Sequence, residues 1–95
     1  MAKGYLIVRV DITDPEAYAA YAVAAGRAIA RHGVKVLARG GRSEALEGAG
    51  RARNVVLECE SYEAARAFYH SPEYTAARAM REGAAIVEYV VVEGV

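Results

Sequence analysis

The chain has 95 residues, and 55% of them are hydrophobic, but 21 are alanine and only 23 are Ile, Leu, Val, Met or Phe. A chain this short makes one domain, residues 1–95, and a small domain buries roughly two-thirds of its surface at best, so an Ala- and Val-rich core looks underfilled for a free monomer. Twelve basic and 12 acidic residues balance to zero net charge, which argues against nucleic-acid or anionic-membrane partners. Tyr5 to Ile12, YLIVRVDI, reads as a strand. Its even positions, Leu6, Val8, Val10 and Ile12, are all aliphatic. Asp14-Pro15-Glu16 then announces a helix, with Asp14 as cap and Pro15 in the first turn. The helix runs to about His32 and ends at Gly33, a candidate for a left-handed cap. Tyr18, Tyr21, Ala22, Ala25 and Ile29 share one stripe of it.

A second strand spans Val34 to Gly40, with Val34, Val36 and Ala38 opposite Lys35, Leu37 and Arg39. Gly40-Gly41 marks a bulge or bend, and Arg42 to Glu47 continues extended into a hairpin loop over Gly48 to Arg51. Asn54 to Glu60 is a third strand, with Val55, Leu57 and Cys59 on one face. Ser61 caps a second helix, Ser71-Pro72 breaks and restarts it, and Gly83 ends it. Ala85 to Glu93 is the last strand. This order is βαββαβ, an α+β chain of the ferredoxin-like kind. A four-stranded antiparallel sheet is expected, covered by helices on one face.

Tyr5, Ile7, Arg9, Leu37, Arg39, Val56 and Glu58 fall on the opposite sheet face. A solvated face is mostly polar; this one is about half apolar. Burial against the sheet of a second copy accounts for that. A few singly exposed apolar residues are the plainer account.

Gly4-Tyr5, Val10-Asp11, Asp14-Pro15, Arg39-Gly40-Gly41 and Ser71-Pro72-Glu73-Tyr74 stand in an order and spacing that resemble the domain-of-unknown-function 1330 family across nearly the whole chain. The resemblance implies a dimeric α/β barrel: two ferredoxin-like subunits packed sheet on sheet, helices outside. It implies no particular reaction. Wider relatives of that barrel include cofactor-independent monooxygenases, haem-degrading enzymes, lactone isomerases and stress-responsive proteins, and such activities transfer only by fold analogy.

His70 precedes the Ser71-Pro72 break and stands between Tyr69 and Tyr74. An imidazole there could transfer a proton to a ligand; it could equally pack at the helix junction and bond a carbonyl. Tyr18, Tyr21, Tyr69 and Tyr74 fill the core or line an apolar pocket between helices and sheet. Arg39 could anchor a carboxylate, or join Arg9 and Glu58 in an ion-pair ladder. His32 suits the negative end of the first helix. The single Cys59 excludes an internal disulfide and a paired-cysteine metal or redox site, and reads as a small buried hydrophobe. No metal or cofactor site is expected.

The third strand, NVVLECE, lacks the aromatics of an RNA-recognition sheet. No apolar run reaches the roughly 20 residues of a membrane helix, and Met1 to Gly4 does not read as a signal peptide. A cytoplasmic protein, bacterial by its Ala/Arg/Glu usage, is the expectation. Two functions stay open: a cofactor-free enzyme or binding protein for a small organic acid or aromatic, with His70 as the proton-transfer residue, and a non-catalytic structural or stress-associated homodimer.

Overall fold

The computed structural model describes residues 2–95; Met1, where the short lead-in to the first strand begins, lies outside them. The alternating aliphatic residues of the first strand form β1 (Gly4–Ile12), which runs through the middle of the sheet. It is followed by α1 (Pro15–Arg31), β2 (Lys35–Arg39), β3 (Arg53–Cys59), α2 (Tyr62–Tyr69), α3 (Pro72–Ala79) and β4 (Ala85–Glu93). The four strands pair antiparallel in the order β2-β3-β1-β4, the ferredoxin-like topology expected from the sequence. Leu6, Val8 and Val10 of β1 are buried under the helices, with Leu57 and Cys59 of β3 beside them. The helices form a single layer, so the Cα extents are 37 × 33 × 17 Å and the other sheet face is open. Among the described residues no helix is long and apolar enough to cross a membrane.

The helix ends follow local chemistry. Asp14 Oδ1 accepts from the Ala17 amide at 3.3 Å, and Ser61 Oγ from the Ala64 amide at 3.0 Å. Gly33 ends α1 at φ 65°, a region closed to most side chains. At the break between α2 and α3, buried Ser71 donates to the Phe68 carbonyl at 2.7 Å and accepts from the Tyr74 amide at 3.2 Å. Pro72 then starts α3, where its missing N–H costs nothing. His32 caps the end of α1 and bonds Glu73 Oε1 at 2.8 Å, tying α1 to the start of α3. That bond holds the Glu73 carboxyl below its ordinary range.

Two expectations about the second hairpin are corrected. The chain bends at Gly40, as expected, but a bulge also lies upstream at Leu37, which moves Arg39 off the expected face: Val36 pairs with Leu57, but the next pair is Ala38 with Val56. One extra residue inverts the alternation beyond it. Ala38 therefore shares the open face with Val56, and Arg39 pairs with Val55 on the helix face. Arg42 to Glu47 is not extended strand but part of a loop running from Gly40 to Ala52. Arg-Ser-Glu-Ala-Leu-Glu has no β-branched residue and no neighbouring strand to pair with. The loop is fastened at its far end, where Asp11 accepts from the Ala52 amide at 2.9 Å and from Arg51 at 2.9 Å. The Ala52 bond first, and Arg51 second, hold the Asp11 carboxyl below its usual range.

Candidate functional site

Alanine on α1 leaves space beside the sheet. The helix packs chiefly against α3, and between it and the β2–β3 side of the sheet lies a cleft of about 50 Å³. Ala22, Ala25 and Gly26 of α1 form one wall, with Tyr18 and Tyr21 on the same helix beside them. Arg39, Arg53 and Val55 come from the sheet, and Tyr74 and Tyr89 close the inner end. A Cβ at Gly26 would meet no atom within 4 Å. A mid-helix glycine costs roughly 0.5–1 kcal/mol relative to alanine. Gly26→Ala is therefore expected to raise the melting temperature by a few degrees, checked by calorimetry, while narrowing the cleft.

The aromatic side chains form a continuous cluster. Tyr21 and Tyr74 share a 2.5 Å hydroxyl–hydroxyl hydrogen bond. The Tyr74 ring lies 4.9 Å from Phe68, 5.7 Å from Tyr69 and 5.9 Å from Tyr89. Burial pushes the Tyr21, Tyr74 and Tyr89 phenols well above their ordinary pKa. They stay protonated at physiological pH and act as hydrogen-bonding groups rather than bases. Three arginines surround them: Arg53 stands 5.8 Å from the Tyr18 ring, Arg78 4.3 Å from Tyr69 and Arg81 5.0 Å from Tyr21.

His70 and Tyr69 sit elsewhere. They border a second cavity of about 230 Å³, under the end of α2, with Leu6, Arg66, Tyr89 and Val91. The His70 side chain is exposed and bonds no carbonyl among the described residues. Its ring meets Tyr69 edge-on at 5.2 Å. The structure thus brings Tyr18, Tyr21, Arg39 and Tyr74 together in one cleft and puts Tyr69 and His70 in a neighbouring one, with Tyr89 in the wall of both. The ladder of Arg9, Arg39 and Glu58 does not form within the chain, because the bulge turns Arg39 to the other face. Glu58 instead accepts from Tyr5 Oη at 3.0 Å. Cys59 is buried, and burial raises its thiol pKa. Among the described residues no three His, Cys, Asp or Glu side chains gather as a metal-ligand group.

Arg53, Tyr89 and Gly26 were not among the residues the sequence singled out. Arg53 stands two residues before Val55 in the β3 alternation. Tyr89 alternates with Val87 and Val91 on β4. Those spacings were the available signal.

A family model described as a domain of unknown function, DUF1330, matches residues 3–95. No curated protein matches the chain. Among solved structures, the chain is similar to RPA0582, a protein of unknown function from Rhodopseudomonas palustris, at TM-score 0.76 and 22% identity, covering 99% of this chain and 83% of that one. It is similar to a dimeric protein of unknown function and ferredoxin-like fold from Bacteroides fragilis at TM-score 0.66 and 13% identity, covering 96% and 95%. It is also similar to SnoaB, a cofactor-independent oxygenase from Streptomyces nogalater, at TM-score 0.63 and 11% identity, covering 97% and 92%. At such identities the likeness shows the shared fold.

Proposed function

This chain belongs to the domain-of-unknown-function 1330 family, and we propose that it is a small homodimeric α/β-barrel protein that binds a small organic acid or aromatic molecule, without a cofactor, between α1 and the sheet. The observation that carries this reading is the cleft itself: alanine and glycine leave room where Tyr18, Tyr21, Tyr74 and Arg39 converge. Apolar walls with a few placed polar groups are the usual form of a small-molecule site. The open sheet face supports the dimer. Tyr5, Ile7, Arg9, Val56 and Glu58 lie on it and Leu37 is half-exposed beside it, while Ile86, Val90 and Val92 of β4 extend its apolar band. Similar structures described as dimeric and ferredoxin-like agree with that assembly.

His70, which lies outside the cleft, is read as transferring a proton to or from a molecule seated in the second cavity, under the end of α2. What supports it is an exposed imidazole, without a side-chain hydrogen bond among the described residues, at the edge of that cavity of about 230 Å³. The phenols of Tyr21, Tyr74 and Tyr89, whose pKa burial raises, stay protonated and do not take that role. Phenylpyruvate, an aromatic acid with an exchangeable methylene, is a suitable probe. In deuterated buffer the protein should accelerate loss of its methylene protons by NMR. His70→Ala should lower that rate by about a hundredfold while leaving binding within about twofold. Binding without acceleration would remove the proton-transfer role and leave a binding protein. No binding of any small acid or aromatic would favour the second reading, a non-catalytic structural or stress-associated homodimer.

A further inference from the structure

The cleft holds more positive charge than its surroundings balance. Arg39 and Arg53 both line it. The ion pairs among the described residues, Lys3–Glu60, Arg31–Glu73, His32–Glu73, Arg51–Asp11 and Arg51–Glu88, include neither. The Arg53 Nε is buried and has no hydrogen-bond partner. A buried donor without a partner is unfavourable, the more so when charged. The backbone is shaped to keep this guanidinium in place. Gly40 takes φ 68°, a conformation that favours glycine, and a Cβ there would push the Arg53 guanidinium aside. The bulge at Leu37 turns Arg39 onto the same face. The opposite wall is neutral, because burial keeps the Tyr21 and Tyr74 phenols protonated.

From this arrangement we infer that the ligand is a carboxylate anion, held between the Arg39 and Arg53 guanidinium groups with its carbon body against the tyrosine rings. This deepens the proposed binding function and rests on it. A guanidinium fork matches a planar carboxylate with paired hydrogen bonds. The cleft of about 50 Å³ has room for about four water-sized groups, the size of a carboxylate and the carbon that bears it. The ligand body then extends outward past Ala22 and Gly26, where α1 leaves the way open.

Benzoate and benzamide separate charge from shape, since they are nearly isosteric. Calorimetry and amide NMR shifts at Ala22, Ala25 and Gly26 report binding in the cleft. Benzoate is expected to bind at least about tenfold more tightly than benzamide. Arg53→Gln should abolish that preference without lowering benzamide affinity more than about twofold. Arg39→Gln is the second variant should Arg53→Gln fail to fold. Equal affinity for the two probes in the unaltered protein would overturn the anion assignment and leave the binding function standing. A preference for benzoate that survives both substitutions would overturn the two-arginine clamp. Absence of binding by either probe up to about 10 mM would overturn the cleft reading itself, and this inference with it.

Discussion

Val90→Glu is expected to turn the protein from a dimer into a monomer. By sedimentation at micromolar concentration, the mass should fall from about twice the 10.2 kDa chain mass to that of one chain. Val90 is 55% exposed within one subunit and pairs with Ile7 across the β1–β4 ladder. Val92, 43% exposed, stands next to it on the same face, and Ile86, 51% exposed, lies on that face beyond Glu88. Burying a valine contributes about 1.5–3 kcal/mol, whereas a buried unpaired carboxylate costs several. In a two-fold assembly the substitution enters the interface from both subunits. Together these effects weaken association by on the order of a thousandfold or more, which clears a typical micromolar window. Val23→Glu is the control, because Val23 is 58% exposed on the outer side of α1 and should leave the mass unchanged. A Val90→Glu protein that still sediments as a dimer would place the interface elsewhere. An unaltered protein that sediments as a monomer would overturn the dimer itself.

The open face was legible in the sequence for a simple reason. Strand alternation has a period of two, and Tyr5, Ile7, Val56 and Glu58 obey it without interruption. The helices were legible through their caps: Asp14-Pro15, Ser61 and Ser71-Pro72 each announce a helix start by the hydrogen bond the side chain makes. Arg39 was not legible, because its side of the sheet depends on one extra residue at Leu37. Nothing in Val-Lys-Val-Leu-Ala-Arg says where that residue falls; the glycine pair that follows points three positions too late. The effect on the proposed site is large, since the bulge moves Arg39 from the open face into the cleft. Tyr18 and Tyr21 of the cleft were legible from helical spacing on α1, whereas Tyr89 of β4 was not. Nor was their separation from His70, because it depends on where Tyr89 lies between them. Gly26 is the converse case: its meaning is the absence of a side chain, and only the space around it shows that.

The tyrosine cluster that closes the cleft is also the heaviest part of the core, so Tyr74 joins stability to function. Tyr74 is 1% exposed and, with Phe68, Leu6 and Val10, is among the largest fully buried side chains. Its ring packs among those of Phe68, Tyr69, Tyr89 and Tyr21, at 4.9, 5.7, 5.9 and 6.2 Å, and the small members of the same buried cluster, Ala25, Ala28, Ala65 and Ala77, cannot fill a ring-sized void. Tyr74→Ala is therefore expected to cost about 3–5 kcal/mol. Domains of this size hold roughly 5–15 kcal/mol in total, and each kcal/mol moves the melting temperature by about 4–8 °C. A drop of roughly 12–40 °C follows, measured by circular dichroism at one fixed protein concentration because the melting of the proposed dimer would depend on it. Tyr74→Phe keeps the volume and removes only the hydroxyl. It leaves the Tyr21 hydroxyl without its 2.5 Å partner, a loss of about 1–3 kcal/mol. The two variants separate packing from hydrogen bonding, and the order Ala far below Phe, Phe below the unaltered protein, is the expected result. The void left by Tyr74→Ala is apolar and ring-sized, so benzene should raise that variant's melting temperature and leave the unaltered protein's in place. A Tyr74→Ala protein melting within a few degrees of the unaltered one would mean that the helix layer closes over the gap, and that the cleft's inner wall is not fixed by this ring.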